Sequence, residues 1–107
     1  MAYIDKFGVR FSNDRKTLVR CPEDFEGEYS IPKGVKSVGE KAFYHCSGLL
    51  SLTIPDSVRS LGFEAFSGCT SLTFVSMPEG IVYIEKSTFD LCPVKIEKRP
   101  RESHLQR

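Results

Sequence analysis

The sequence predicts a short repeat solenoid: a right-handed coil of parallel β-strands joined by short helical or 3₁₀ turns, with an N-terminal β-hairpin cap. Three observations predict it. Proline recurs at Pro32, Pro55 and Pro78, phenylalanine at Phe43, Phe66 and Phe89, and cysteine at Cys46, Cys69 and Cys92, always at an interval of 23 residues. Aliphatic residues keep the same phase at Ile31, Ile54 and Met77, at Val35, Val58 and Ile81, and at Val38, Leu61 and Ile84. A chain of 107 residues, 40% hydrophobic and 27% charged, has the size and composition of one soluble folded domain. A fixed period of this length marks stacked coils, each burying its neighbour's apolar edge.

Residues 1–28 lie outside the period and form the expected cap and connector. Residues 7–11 and 17–19 have the composition of two strands, and Ser12 to Lys16 between them supply turn residues. Cys21, Pro22 and the residues up to Gly27 connect this hairpin to the first coil.

Residues 29–98 hold three 23-residue units, 29–52, 52–75 and 75–98, which align without a gap. In the second, Leu52 and Ile54 alternate in a short extended run that Pro55 ends, because proline has no N–H for a ladder. Val58 and Leu61 form a second short apolar segment, and Gly62 is expected to supply a tight bend. Residues 64–69 are too short for a full helix and fit a single helical or 3₁₀ turn, with Phe66 at its centre. Phe43, Phe66, Phe89, Cys46, Cys69 and Cys92 are therefore the expected structural core. The third unit drifts, with Glu85, Thr88 and Pro93 replacing glycine, alanine and a small polar residue, as terminal coils do. Residues 99–107 lack an apolar pattern and are expected to be a flexible basic tail.

This combination resembles the BspA-like leucine-rich repeat family, also called the Treponema pallidum type. Its unit has a leucine-rich strand, then Ile-Pro-x-Ser-Val, x-x-Ile-Gly and x-x-Ala-Phe-x-x-Cys. The second copy carries Ile54-Pro55-Asp56-Ser57-Val58, Leu61-Gly62 and Ala65-Phe66-Ser67-Gly68-Cys69. The first carries Ile31-Pro32-Lys33-Gly34-Val35, Val38-Gly39 and Ala42-Phe43-Tyr44-His45-Cys46, and the third keeps Pro78, Ile84, Phe89 and Cys92. The resemblance implies a leucine-rich-repeat solenoid with parallel strands, used for adhesion or protein binding, common in bacteria and often on the cell surface. It implies no enzyme activity in the repeat portion.

The chemistry points the same way. Lys and Arg number 15 against 14 Asp and Glu, a formal net charge of +1, so no global field attracts nucleic acid or an anionic membrane. No uncharged stretch is long enough to span a bilayer, so membrane insertion is not expected. The first seven residues show no basic segment followed by an apolar run. Either the protein stays in the cytoplasm or a signal lies outside this chain. Stacked cysteines form a line that one metal ion cannot span, and there is no CxxC pair, so no metal or cofactor is expected. Neighbouring rungs are close enough for a disulfide, which would leave one of three stacked thiols unpaired, but a ladder of buried thiols acting as small apolar filler is the simplest reading. Catalytic motifs are absent.

The residues left exposed by the alternation include Lys36 and Arg59, and Phe74, Val82 and Tyr83. The last three belong to one interval; either they are a candidate aromatic interface, or the tail folds back over them or they seal the open strand edge at the end of the coil. The expected function is a non-catalytic protein-interaction module whose protein partner the sequence does not name. Its rival is a structural unit that stacks end to end, with weak homodimerisation through the coil of residues 75–98. A thiol-redox role ranks third. The basic residues near the end, Lys95, Lys98, Arg99, Arg101 and Arg107, are interrupted by Glu97 and Glu102. They are expected to be solvated rather than bound to nucleic acid.

Overall fold

The computed structural model describes residues 3–81, 83–85 and 87–99, in which ten short strands form two sheets around one apolar core. The six-stranded sheet runs β1 (Tyr3–Ile4), β2 (Arg10–Phe11), β3 (Thr17–Arg20), β5 (Ser37–Val38), β7 (Ser60–Leu61), β9 (Tyr83–Ile84). The four-stranded sheet runs β4 (Glu26–Ser30), β6 (Gly48–Thr53), β8 (Phe74–Pro78), β10 (Lys95–Arg99). From β3 onward every pairing in the first sheet is parallel, as is every pairing in the second, so the chain is a solenoid of about four turns.

The cap is antiparallel and merges into the ladder. β1 pairs with β2 and β2 with β3, while the far side of β3 pairs in parallel with β5, Leu18 opposite Val38. The hairpin turn is held by Asp14, whose carboxylate accepts from Ser12 Oγ (2.7 Å) and Lys16 N–H (3.0 Å). Those bonds keep its pKa below the usual carboxylate value. The first cap strand is shorter than the composition suggests. Phe7 and Gly8 lie in a turn because Asp5 accepts from the Phe7 and Val9 N–H groups, leaving only Arg10 and Phe11 to pair. β4 starts at Glu26, so the first rung begins inside the segment assigned to the connector.

The strand ends follow from proline chemistry. β4 and β6 stop two residues before Pro32 and Pro55, at Ser30 and Thr53. β8 continues through Pro78, because its partner in β10 is Arg99, which retains its N–H. Thus Arg99 occupies the rung held by proline in the other coils. The last rung is also closer in sequence than a gapless 23-residue period requires. Val75 pairs with Ile96, not Lys98, because Cys92-Pro93-Val94 reaches the next strand in two fewer residues. Arg99 is accordingly the end of a strand and not the start of a flexible tail. Residues 100–107, the remainder of that expected tail, lie outside the described residues.

The Ala-Phe-x-x-Cys segments are not helical, contrary to the expected helical or 3₁₀ turn. In the first, alternate N–H groups bond within the coil and to the next coil. Ala42, Tyr44 and Cys46 donate to Gly39, Lys41 and Phe43, while Lys41, Phe43 and His45 donate to Phe63, Ala65 and Ser67. That alternation needs left-handed residues, found at Lys41 (φ 57°) and His45 (φ 58°), Glu64 (53°) and Gly68 (81°), and Ser87 (63°) and Leu91 (60°). Gly62 is not one of them. A Cβ there would lie 2.7 Å from the backbone of Gly39 and of Glu40, so glycine is required by the approach of the neighbouring coil, not by a bend.

The core is a column. Phe66 is fully buried and stacks on Phe43 (centroids 5.1 Å, 25°) and on Phe89 (5.1 Å, 10°). Tyr29, Phe25 and Phe7 meet edge to face and plug its N-terminal end, where Tyr29 lies tilted against Phe43. Tyr29 donates its hydroxyl to Asp5 (2.7 Å), and burial together with that carboxylate raises its pKa.

Candidate interaction surfaces

The cysteines form a second column of free thiols beside the rings. Cys69 Sγ donates to Phe43 O (2.9 Å) and Cys92 Sγ to Phe66 O (2.7 Å), each reaching back one coil. Cys46 Sγ donates to Pro22 O (3.4 Å) at the cap. The thiols therefore link coils by hydrogen bonds as well as filling space. The neighbouring thiols of Cys46 and Cys92, and then burial, raise the pKa values of Cys21 and Cys69 above the ordinary thiol range. Among the described residues no cluster of histidine, cysteine or carboxylate could hold a metal ion, and no helix is long and apolar enough to cross a membrane.

The outward rows are set by pleat and register. On the four-stranded sheet the core takes Tyr29, Leu52 and Val75, so the outer face shows Glu28, Ser51, Phe74 and Lys95, then Ser30, Thr53, Ser76 and Glu97. Phe74 is the aromatic of this face, 38% exposed. Leu50 (50% exposed) protrudes nearby, because the register slips between Gly27 and Glu28 and leaves it without a partner in β4. On the six-stranded sheet Thr17, Ser37, Ser60 and Tyr83 are in register. Lys36 and Arg59 stand exposed one coil apart, Arg59 N–H donating to Lys36 O and Tyr83 N–H to Arg59 O. The Arg59 side chain lies over Gly80, where a Cβ would meet its Nη1 at 2.7 Å.

The structure does not gather the expected aromatic cluster. Phe74 is on the four-stranded sheet and Tyr83 on the six-stranded one, separated by the turn after Pro78. Val82 lies outside the described residues. Tyr83 (55% exposed) instead shares the last coil with Ile84, Leu91 and Ile96, all exposed, whose counterparts Leu61, Gly68 and Val75 are buried in the coil before. Phe89 and Cys92 are only partly buried for the same reason.

Sequence reasoning missed Leu50, Leu91, Ile96 and Arg99. Arg99 is the most consequential. Its guanidinium reaches back across the sheet to Ser76 Oγ (2.6 Å), Ile54 O (2.5 Å) and Asp56 Oδ1 (3.1 Å). The signal was its rung, shared with the prolines, but the two-residue shortening of the last interval hid it.

The family model described as a BspA-type leucine-rich repeat region of six copies matches residues 26–102. No curated protein sequence matches. Among solved structures, the Treponema pallidum leucine-rich repeat protein is 31% identical, with a TM-score of 0.66 over 79% of this chain and 42% of its own. The pneumococcal vaccine antigen PcpA is 24% identical, with a TM-score of 0.80 over 94% of this chain and 27% of its own. A leucine-rich cell surface protein of Faecalibacterium prausnitzii is 22% identical, with a TM-score of 0.56 over 95% of this chain and 40% of its own. The last two share the fold. The chain thus spans well under half the length of each solved structure it matches.

Proposed function

The chain belongs to the BspA-type leucine-rich repeat family, and from that premise we propose that it is a non-catalytic protein-interaction module of the adhesion type. The observation that supports this reading most is the outer face of the four-stranded sheet. It presents Phe74 and Leu50 among Ser51, Thr53 and Ser76 on strands fixed by parallel pairing. An exposed aromatic on a rigid polar surface is the usual anchor of a protein interface. The buried, carbonyl-bonded thiols favour binding over redox chemistry. The protein partner carries no name in this reading.

The test uses a partner captured with the wild-type chain and remeasured by interferometry against Phe74→Ala and Tyr83→Ala. Phe74→Ala should weaken binding at least about tenfold while the thermal melt is unchanged. A partner bound equally by both variants and wild type would remove these surfaces from the function.

A second reading, end-to-end assembly, rests on the last coil. Tyr83, Ile84, Leu91 and Ile96 are exposed there beside the outer edges of β9 and β10. Open edges of this kind pair with other chains. Light scattering should show mass rising with concentration, and Ile96→Lys should abolish the rise. A strict monomer at high concentration rules the assembly out.

A further inference from the structure

The recurring prolines create a defect that one coil repairs from within and its neighbour does not. In a parallel ladder each residue that donates to the next strand also accepts from it two positions later. Ile31 N–H donates to Thr53 O (3.0 Å) and Ile54 N–H to Ser76 O (2.9 Å). The donors due to return to Ile31 O and Ile54 O are residues 55 and 78, and both are proline. Each carbonyl therefore loses its ladder partner. Arg99 Nη2 donates to Ile54 O and to Asp56 Oδ1, and Nη1 donates to Ser76 Oγ. Among the described residues no protein donor reaches Ile31 O. Ile31 lines a groove of about 620 Å³ together with Pro32, Lys33, Thr53, Pro55 and Arg99.

The two positions are equivalent by repeat, so the filled one shows what the other is built to take. Thr53 stands in register with Ser76 and keeps the hydroxyl. Lys33 stands one period before Asp56, so the carboxylate beside the guanidinium becomes an ammonium. A second cation is thereby disfavoured. The complement is an N–H donor for Ile31 O with a carboxylate within reach of Lys33. An extended peptide bearing Asp or Glu offers both, and Pro32 and Pro55 give an apolar floor for an intervening aliphatic side chain. With Asp56 engaged by Arg99, Lys33 is left to set the sign of the groove.

We infer that this groove binds a short, extended, acidic peptide segment, its main-chain N–H on Ile31 O and its carboxylate on Lys33. The inference goes beyond the surface reading above, since nothing in it requires Phe74.

The experiment is fluorescence anisotropy with fluorescein-Gly-Ile-Glu-Val-Glu-amide, and with the same peptide carrying Lys for Glu. The acidic peptide should bind saturably and the basic one should not. Lys33→Glu reverses the groove's charge. Pro55→Ala returns an N–H to the ladder opposite Ile31 O and occupies the acceptor. Each should weaken binding about tenfold or more, and Phe74→Ala should leave it unchanged. If Pro55→Ala fails to fold, Lys33→Glu and the exposed Thr53→Val carry the test. Absence of saturable binding up to about 1 mM, or equal binding by Lys33→Glu and wild type, overturns the inference. Loss on Phe74→Ala alone moves the ligand to the aromatic face, ending the groove assignment and leaving the interaction reading intact.

Discussion

Truncating the ring column at two places should give unequal costs. Phe66 is fully buried, with a ring stacked on each side at 5.1 Å. Phe66→Ala removes a large apolar group, opens a cavity between two rings that backbone bonds hold apart, and deletes both stacks. Large-to-small changes of this kind cost roughly 3–5 kcal/mol, to which each aromatic pair adds about 0.5–1.5. Domains of this size are stable by about 5–15 kcal/mol, so Phe66→Ala should remove a large share of the total stability. Phe89 has one stacked neighbour and is partly exposed. Phe89→Ala forfeits one stack and only part of the transfer term, roughly 1.5–2.5 kcal/mol in all. Urea denaturation followed by circular dichroism measures both. Equal costs would refute the reasoning, because they would mean that the C-terminal coil is covered in solution and that the column does not end at Phe89.

Other perturbations probe the remaining contacts. Gly62→Ala places a methyl 2.7 Å from the Gly39–Glu40 peptide bond, where no rotamer can relieve it, and should cost about 1–3 kcal/mol or more; an unchanged melting temperature would contradict the close approach. Under native conditions a thiol reagent should modify Cys92, at the open end of its column, well before the other cysteines, and rapid labelling of Cys69 would show that the ladder is not buried. The Tyr29 phenol has a pKa raised above its ordinary 10.0, so its contribution is complete below that pH and declines as the pH rises beyond it. The fall in melting temperature above about pH 10 should be shallower in Tyr29→Phe, which loses about 1–2 kcal/mol at neutral pH; parallel falls would exclude Tyr29 as the group responsible.

The period and its prolines made the solenoid legible, because a 23-residue spacing of Pro55, Phe66 and Cys69 has few other physical explanations. The backbone of the turns was not legible. Nothing in Glu64-Ala65-Phe66-Ser67-Gly68-Cys69 reveals that Glu64 is left-handed, since that conformation is imposed by bonds to the neighbouring coil and not by the residue's own preference. The candidate surface was half legible. Alternation identifies Phe74 and Tyr83 as outward, but only the turn between β8 and β9 determines that they lie on different sheets. Arg99 escaped notice because a shortened coil changes the register without leaving a mark in composition.

The ladder's uniform stride also bears on how the chain reaches its native state. Almost every strand pairing joins residues 20 to 23 apart, whichever coil is considered. The entropy of closing each loop is then nearly the same, and each closure extends a template already laid down. The antiparallel cap supplies the first template from nearby residues. Native-state hydrogen exchange should therefore show protection decaying from the coils next to the cap toward β10, with opening propagating inward from that end.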